Sequence, residues 1–365
     1  MTRVTSRNRA LNTTVSAGRR SAGGLLRAVT EVFWRHLSHV RKKQELNKER
    51  ELKALVTGAA GFIGSHLCER LLVDGWRVVG LDNFDHFYDP KIKRSNVAAC
   101  VKNDRFDLIE ADIRDIHSVD SVFSGGDLDI VVHLAAKAGV RPSIAEPLVY
   151  QDVNINGTVM LLEAAKDFGV KKFVFASSSS VYGNNEKAPF SETDNVDYPI
   201  SPYAATKKAG ELICHTYSHL YGIDMTCLRF FTVYGPRQRP DLAICKFAGL
   251  IEAGEPIPVY GDGSMMRDFT YIDDIIDGVV AAMDKCAGFE IYNLGESRPI
   301  RLDDLICEIE KALGKRAVIE RLGMQPGDVD RTYADVGKAM EKLGYEPKTE
   351  IAVGLKRFVE WFRSV

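Results

Sequence analysis

The sequence predicts an α/β protein organised around a doubly wound parallel sheet. Between residues 52 and 231, short apolar runs typical of strands alternate with longer segments in which apolar residues recur at helical spacing. A glycine-rich turn follows the first apolar run, and an aspartate ends the second. Parallel strands need long crossover connections, so this alternation predicts a sheet with helices on both faces. The expected strands are 53–57, 77–82, 106–111, 129–134, 172–177 and 225–230.

The first expected strand runs into a turn that contains Gly58, Gly61 and Gly64. The first glycine allows a bend where a Cβ would clash. The second lets main-chain N–H groups approach a pyrophosphate at a helix N-terminus, and the third lets helix and strand pack closely. The spacing differs from the usual Gly-x-Gly-x-x-Gly, and a plain glycine-rich turn is the alternative. The predicted cofactor contacts in this turn and at the start of the helix are Gly58, Gly61, Phe62, Ile63 and Gly64.

The acid that ends the second strand bears on the identity of the cofactor. Asp82 follows Gly64 by 18 residues, where a carboxylate suits the hydroxyls of an adenosine ribose and repels a 2′-phosphate. The sequence therefore predicts NAD rather than NADP. Asp112 follows the third strand and suits an adenine edge, whereas His133, inside the apolar fourth strand, is predicted to be a core residue. The other predicted cofactor contacts are Asn83, Ile113, Leu134, Ala135, Ala136 and Asn154.

A row of serines and a later Tyr-x-x-x-Lys pair are predicted to carry the chemistry. The fifth strand runs into the serines, which include Ser178, and Tyr203 and Lys207 share one face of the helix that follows. A phenol has a pKa of about 10, and an ammonium one turn away beside a positive nicotinamide would stabilise the phenolate. Tyr203 is therefore predicted to act as a base, Lys207 to hold the nicotinamide ribose, and Ser178 to share the proton of the reacting hydroxyl.

Composition sets further limits on the function. The chain has 365 residues, 45% of them hydrophobic and 27% charged, with a net charge of −2, so no nucleic-acid partner is expected. Seven cysteines without a Cys-x-x-Cys pair predict reduced core thiols and no metal centre. No run of 18 apolar residues exists. These features predict a cytoplasmic protein.

Residues 1–50 differ from the rest of the chain, with twelve Lys and Arg against three Glu. Apolar residues between 25 and 41 fall at helical spacing with arginines between them, which suits an amphipathic helix in peripheral contact with an anionic membrane or a partner. A cleaved targeting peptide and an unstructured leader are the alternatives.

From residue 52 to about 362, the chain resembles the extended short-chain dehydrogenase/reductase family, and within it the NAD-dependent nucleotide-sugar 4-epimerases. The resemblance rests on an ordered set of motifs. They are the turn 57–64, His133-Leu-Ala-Ala136, Asn154-Ile-Asn-Gly-Thr158, Ser177-Ser-Ser-Ser-Val-Tyr-Gly183, Tyr203-x-x-x-Lys207, Arg267-Asp-Phe-Thr-Tyr-Ile-Asp273 and Gly327-Asp-Val329.

The resemblance implies transient oxidation at the sugar C4, rotation of the 4-keto sugar about its diphosphate, and return of the hydride to the other face. Related dehydratases carry an Asp-Glu pair, and related decarboxylases a Glu, where this chain has Ser179 and Ser180. Neither serine can act as the acid or base that elimination needs, which argues against both reactions. The resemblance also implies a homodimer formed through helices near 156–168 and 202–221.

Two domains are expected: an NAD-binding Rossmann domain over 52–231, to which 273–295 returns, and a nucleotide-sugar-binding domain over 232–272 and 296–365. The segment from Phe231 to Asp241 is similar to UDP-glucuronate 4-epimerases, whereas 259–264 resembles epimerases of UDP-glucose and UDP-N-acetylglucosamine. UDP-glucuronate is the expected substrate; those neutral sugars, or a non-catalytic NAD-binding scaffold, are the alternatives. Arg141 is either a substrate contact or structural. The expected substrate contacts are Arg141, Ser179, Thr232, Arg239, Val259, Tyr260, Arg267 and Asp328.

Overall fold

The computed structural model describes residues 51–323 and 331–365. The predicted features of residues 1–50 and the predicted substrate contact Asp328 lie outside the described residues. Residues 52–365 form one compact unit.

A seven-stranded sheet lies at the centre of this unit, in the order β3-β2-β1-β4-β5-β6-β11, and every neighbouring pair is parallel. The strand order reverses between β1 and β4, which is where doubly wound sheets bind their ligands. Its strands are β1 Lys53–Thr57, β2 Arg77–Asp82, β3 Phe106–Glu110, β4 Ile130–His133, β5 Lys172–Ser178, β6 Asp224–Phe230 and β11 Phe289–Leu294. The predicted fold class is confirmed, and each predicted strand agrees with the structure to within one residue at either end.

Hydrophobic cores lie on both faces of the sheet, because successive strand residues point to opposite sides. Ala54 and Val56 of β1 join one core, and Leu55 between them joins the other. The helices of this region are α1 Phe62–Val73, α2 Pro90–Val97, α3 Ile116–Ser124, α4 Val140–Ala145, α5 Pro147–Gln151, α6 Gly157–Asp167 and α7 Pro202–Tyr221. A π-helical turn, Asp152–Asn156, and 3-10 turns at Cys100–Lys102 and Ser179–Tyr182 complete it.

The later part of the chain adds pairs of short strands and further helices beside the carboxyl edge of the sheet. β7 pairs with β10 and β8 with β13, both in parallel, and β9 pairs with β12 in antiparallel fashion. The strands are β7 Thr232–Tyr234, β8 Pro256–Tyr260, β9 Met266–Arg267, β10 Phe269–Tyr271, β12 Ile300–Arg301 and β13 Val318–Leu322. The helices are α8 Ala243–Ala253, α9 Ile272–Asp284, α10 Leu302–Leu313, α11 Gly337–Leu343 and α12 Ile351–Phe362.

One hydrophobic core runs from the central sheet into these later elements, joining Val56 of β1 with Ile257 of β8 and Phe358 of α12. β11 comes from the segment 273–295 and extends the central sheet next to β6. The division into two domains at residues 231 and 232 stays a prediction.

The cysteines agree with the sequence prediction with one exception. All seven lie in the described part of the chain and are free thiols; five are buried and Cys245 is half-buried. Cys307 is exposed on α10 and is not a core thiol as predicted. Among the described residues, no helix combines the length and apolar character that crossing a bilayer requires.

Candidate active site

The glycine turn between β1 and α1 forms the floor of the site. Gly58 has a φ of +70°, and a Cβ there would lie 2.8 Å from the backbone nitrogen of Ala135. A Cβ on Gly64 would lie 2.1 Å from the carbonyl oxygen of Gly58. These two positions therefore require glycine, because any side chain would push the turn, the helix and the end of β4 apart. Gly61 caps the N-terminus of α1, where backbone N–H groups have no intrahelical partner.

Behind this turn, a chain of buried hydrogen bonds runs through His133. Thr158 Oγ1 donates to the Asn154 carbonyl at 2.6 Å, so its oxygen accepts from His133 Nε2 at 2.9 Å. His133 Nδ1 then accepts from Thr57 Oγ1 at 2.8 Å, which in turn accepts from the Ala135 backbone N–H at 3.2 Å. Burial lowers the pKa of His133 to about 3, so the ring is neutral. His133 is a core histidine, as predicted, and it ties the ends of β1 and β4 together.

Two acids approach the site from the ends of β2 and β3. Asp82 is buried, and its carboxylate accepts from the backbone N–H groups of Ala60 and Phe84 at 3.0 and 2.8 Å. The ammonium of Lys93 lies 3.6 Å from Asp82 Oδ1. Asp112 accepts from the Arg114 guanidinium and from Asn83 Nδ2, and the hydrogen bonds from Arg114 hold its pKa well below the usual range. Asp112 is therefore ionised at neutral pH.

The predicted catalytic residues meet at the carboxyl end of β5. Ser178 ends that strand, and Tyr203 and Lys207 lie in the first two turns of α7, which begins at a Ser201 cap whose Oγ accepts from the Ala204 N–H at 3.1 Å. Lys207 Nζ donates to the Ala176 carbonyl at 2.6 Å and lies 6.0 Å from the centre of the Tyr203 ring. The structure thus brings all three predicted catalytic side chains together.

The ionisation of this cluster follows from burial and from its neighbours. Burial lowers the pKa of Lys207 to about 8, so its ammonium is mainly protonated at neutral pH. Burial raises the pKa of Tyr203, while the Ser178 hydroxyl and the positive charge of Arg239 act in the opposite direction. Ser178 Oγ accepts from the Ser180 hydroxyl at 2.9 Å and from the Ser180 N–H at 3.2 Å. With both lone pairs of that oxygen engaged, the Ser178 proton is directed outward as a donor.

A buried ion pair that sequence reasoning missed fixes the helix of Tyr203 against the sheet. Glu211 lies on the same face of α7, one turn beyond Lys207, and pairs with Arg229 of β6 through two bonds of 2.8 Å. Both side chains are 1% exposed. Glu211 also accepts from Ser177 Oγ at 2.6 Å, directly before Ser178, and Arg229 donates to the Tyr182 hydroxyl at 3.0 Å. The i, i+4, i+8 spacing of 203, 207 and 211 was the available sequence signal.

The turn, the two acids and the catalytic cluster line one cleft of about 620 Å³. Most predicted contacts line it: Gly58, Gly61, Phe62, Ile63, Gly64, Asp82, Asn83, Asp112, Ile113, Leu134, Ala135, Ala136, Ser178, Tyr203 and Lys207, together with Arg141, Ser179, Thr232, Arg239 and Arg267.

Three predicted contacts do not line the cleft. Asn154 is buried behind it, where its amide donates to Lys137 O and Thr206 Oγ1 at 3.0 Å and accepts from the Lys137 N–H at 2.8 Å. Val259 is fully buried. The guanidinium carbon of Arg141 lies over the Tyr260 ring, 4.7 Å from the centre of that ring. Asn154 therefore positions the backbone that follows β4, from within a π-helical turn of the kind often found at functional sites.

Further charged side chains line the cleft. Arg239 donates from Nε and Nη2 to the two carboxylate oxygens of Asp241, at 2.9 and 2.7 Å, and its guanidinium lies 5.1 Å from the Phe87 ring centre. Arg267 donates to the Met266 carbonyl at 2.9 Å. Lys137 reaches across to Asp85 at 2.8 Å. Sequence reasoning missed Asp85, Phe87, Lys93, Lys137 and Asp241 in the lining of the cleft.

Comparison with known proteins agrees with this arrangement. The family model described as GDP-mannose 4,6 dehydratase matches residues 55–358. A UDP-glucuronate 4-epimerase of Thermodesulfobacterium geofontis is 47% identical over 311 residues, which cover 85% of this chain and 96% of that protein.

Two solved structures are similar over 86% of this chain and 99% of their own. One is a UDP-glucuronic acid 4-epimerase from Bacillus cereus in complex with UDP-glucuronic acid and NAD, with 40% identity and a TM-score of 0.81. The other is a UDP-glucose 4-epimerase from Thermotoga maritima with UDP-glucose, with 36% identity and a TM-score of 0.79. The chain therefore belongs to the GDP-mannose 4,6-dehydratase family of extended short-chain dehydrogenases and reductases.

Proposed function

We propose that this chain is an NAD-dependent UDP-sugar 4-epimerase, an isomerase, and that it interconverts UDP-glucuronate and UDP-galacturonate. The observation that carries the proposal is the meeting of Tyr203, Lys207 and Ser178 in the cleft that the glycine turn also lines. Relatives of this chain include UDP-glucuronate 4-epimerases of Thermodesulfobacterium geofontis and Arabidopsis thaliana. Ser179 and Ser180 leave no carboxylate directly beside Ser178 in the chain, which favours epimerisation over elimination.

The residues present fit NAD. Gly58 and Gly64 occupy positions that a Cβ would fill, so the turn keeps a backbone-lined cradle suited to a pyrophosphate. Asp82 would hold the adenosine ribose and Asp112 the adenine edge. Phe62 and Ile63, at the start of α1, would lie against the phosphates. When bound, NAD supplies the acceptor and then the donor of the C4 hydride.

The side chains of the cluster move the proton. Tyr203, as phenolate, accepts the proton of the sugar O4, and the protonated Lys207 stabilises that phenolate. Ser178 donates to O4, because its own oxygen already accepts from the Ser180 hydroxyl and N–H. In the return step Tyr203 gives the proton back to the O4 of the 4-keto sugar while Ser178 polarises the carbonyl. Arg267 would contact the diphosphate through its forked N–H groups.

A uronate substrate adds a chemical difficulty, because its 4-keto intermediate is a β-keto acid that can lose CO₂. Loss occurs when the C5–C6 bond aligns with the carbonyl π system. Thr232, Ser179 and Arg239 all line the cleft and can donate to the C6 carboxylate, and we propose that they hold the bond out of alignment. Thr232→Ala and Arg239→Ala should then release more UDP-pentose from UDP-glucuronate than the parent enzyme does, and unchanged release would contradict this role.

Purified protein should be incubated with UDP-glucuronate, UDP-glucose and UDP-N-acetylglucosamine, and the C4 epimers separated. Conversion of UDP-glucuronate, absent in Tyr203→Phe, is the expected result. Conversion of only a neutral sugar would instead indicate a UDP-glucose or UDP-N-acetylglucosamine 4-epimerase. Bound NAD without turnover of any of the three sugars would favour a scaffold.

Two further proposals concern assembly. Exposed apolar residues in the segments 156–168 and 202–221, Phe168 and Leu212 among them, favour a homodimer through these helices. A monomeric mass in solution would overturn this proposal.

Residues 25–41, outside the described part of the chain, are proposed to contact membrane surfaces because of their composition. Sedimentation of the full chain with anionic vesicles tests this proposal.

A further inference from the structure

Arg239, at the sugar end of the cleft, is already paired with a carboxylate of the protein itself. Asp241 accepts from Nε and Nη2 of Arg239 at 2.9 and 2.7 Å, while Phe87 packs against the guanidinium. Arginine offers two edges that can take a carboxylate in a forked contact. Asp241 occupies the Nε–Nη2 edge and leaves the Nη1–Nη2 edge for a second carboxylate.

This pairing alters both the orientation and the charge of Arg239. Its side chain is 17% exposed, whereas that of Asp241 is 44% exposed, so the arginine lies in the wall and the aspartate at its rim. The two contacts with Asp241 and the Phe87 ring hold the guanidinium in one place. The pair as a whole has no net charge, so a substrate carboxylate meets an oriented set of donors without the attraction of an uncompensated cation.

The proposed reaction requires that Arg239 bind the C6 carboxylate neither too tightly nor too weakly. In epimerisation, first one face of C4 and then the other must face the same nicotinamide. The 4-keto sugar must therefore turn, and its C6 carboxylate must leave the place that it occupied before the turn. A fully charged arginine would bind that carboxylate tightly in one orientation and oppose the turn. A contact that is too weak would let the C5–C6 bond align with the carbonyl.

We propose that Asp241 is a positioning residue that competes with the substrate's carboxylate for Arg239 and so sets how firmly a uronate is held. The inference rests on the proposed function. It adds a specificity role, because a neutral hexose has no carboxylate to compete with Asp241 and should be indifferent to it.

The test compares Asp241→Asn with the parent holoenzyme. Asparagine keeps an acceptor for the Arg239 N–H groups but removes the negative charge. For UDP-glucuronate, KM and kcat should both fall, each by about two- to tenfold, because tighter binding also slows the turn of the intermediate. Calorimetric affinity for UDP-glucose should not change. Asp241→Glu, which keeps the charge, should behave as the parent, and Asp277→Asn, which breaks the Arg70 ion pair on α1 and α9, is the matched control.

An increased KM for UDP-glucuronate in Asp241→Asn, or equal changes for both sugars, would overturn the inference and leave the proposed function intact. A parent enzyme that does not convert UDP-glucuronate would instead overturn the proposed function. In that case calorimetry of the parent and of Asp241→Asn still decides the competition, since binding needs no turnover: tighter binding of UDP-glucuronate alone supports it, and any other result opposes it.

Discussion

The two halves of the cleft are held in place by different kinds of contact. At the glycine turn itself, backbone shape and the neutral hydrogen bonds through His133 hold the turn and the end of β4 in place. The half that is proposed to hold the sugar depends on charged side chains, such as Arg239 with Asp241 and Arg141 over Tyr260. A turn that depends on close backbone packing is disrupted when one atom is added, whereas an interaction between charged side chains weakens gradually. Substitutions in the first half should therefore abolish function, and those in the second should tune it.

The largest effect is expected at Tyr203, where the two halves meet. Removing its hydroxyl in Tyr203→Phe should lower kcat by about 10²- to 10⁴-fold, because the proton of O4 loses its acceptor. Bound NAD, measured after acid release, should be retained, since the glycine turn is unchanged. Tyr217→Phe on the same helix removes a hydroxyl that bonds Glu163 away from the cleft and should keep full activity. Equal activity of the parent and Tyr203→Phe would end the proposed mechanism.

The next largest effect tests the shape-determined half directly. The added methyl of Gly64→Ala would lie 2.1 Å from the Gly58 carbonyl oxygen, so the turn or helix α1 must shift. Loss of most bound NAD is expected, with a decrease of about 1–3 kcal/mol in the free energy of unfolding. Both are measured on the purified protein, by cofactor content and by denaturant titration.

Gly249→Ala is the control for this substitution. Gly249 lies within helix α8, and a Cβ there meets no atom within 4 Å. Alanine should raise the free energy of unfolding by about 0.5–1 kcal/mol and leave NAD content unchanged. Normal NAD content in Gly64→Ala would show that the cradle tolerates a side chain, and the contrast between the two halves would fail.

The contrast also explains how far the sequence could predict the site. Gly58, Tyr203 and Lys207 were predictable because the geometry that matters for them is local: a turn of a few residues and one helix face. Arg229 was not, because its pairing with Glu211 depends on α7 and β6 packing at a register that the spacing within α7 does not reveal. Val259 was predicted to contact the substrate as part of a strand, and this stays a prediction: its side chain lies in the core, so only its backbone could make the contact. Six of the seven strands of the sheet were predictable because each is a short apolar run between helical segments, whereas β11 was not among the expected strands.

A third prediction uses the pH dependence of the shape-determined half. The pKa of His133 is lowered by burial to about 3, from an ordinary value of 6.5. Between these values the unfolded chain binds a proton that the folded chain does not, so stability is lost as the pH falls through this window. From pH 7 to pH 5 the parent should lose about 2 kcal/mol more of its free energy of unfolding than His133→Gln does.

Denaturant titration at the two pH values measures this difference, and carboxylates that titrate in both proteins cancel. His66→Gln is the matched control. Burial lowers the pKa of His66 to about 4, so it should give a difference in the same direction while leaving the His133 chain intact. Identical pH dependence in the parent and His133→Gln would mean that the ring takes up a proton as readily in the folded chain as in the unfolded one.

The smallest effect is expected at Arg141, where a role in substrate binding can be distinguished from a structural contact with Tyr260. Its guanidinium lies 4.7 Å from the Tyr260 ring centre, a contact that contributes about 0.5–1 kcal/mol at exposed sites. If Arg141 binds substrate, Arg141→Gln should raise the KM for UDP-glucuronate by about two- to fivefold with kcat unchanged, as loss of an exposed charged contact would.

Variants of Tyr260 serve as controls. Tyr260→Phe keeps the ring and should match the parent, whereas Tyr260→Leu should raise KM as Arg141→Gln does, because the arginine loses the surface that orients it. A double variant no worse than either single one would place both side chains in one unit that acts on the substrate. Lowered stability with an unchanged KM would instead make the pair structural, and the charged half of the cleft would then begin at Arg239.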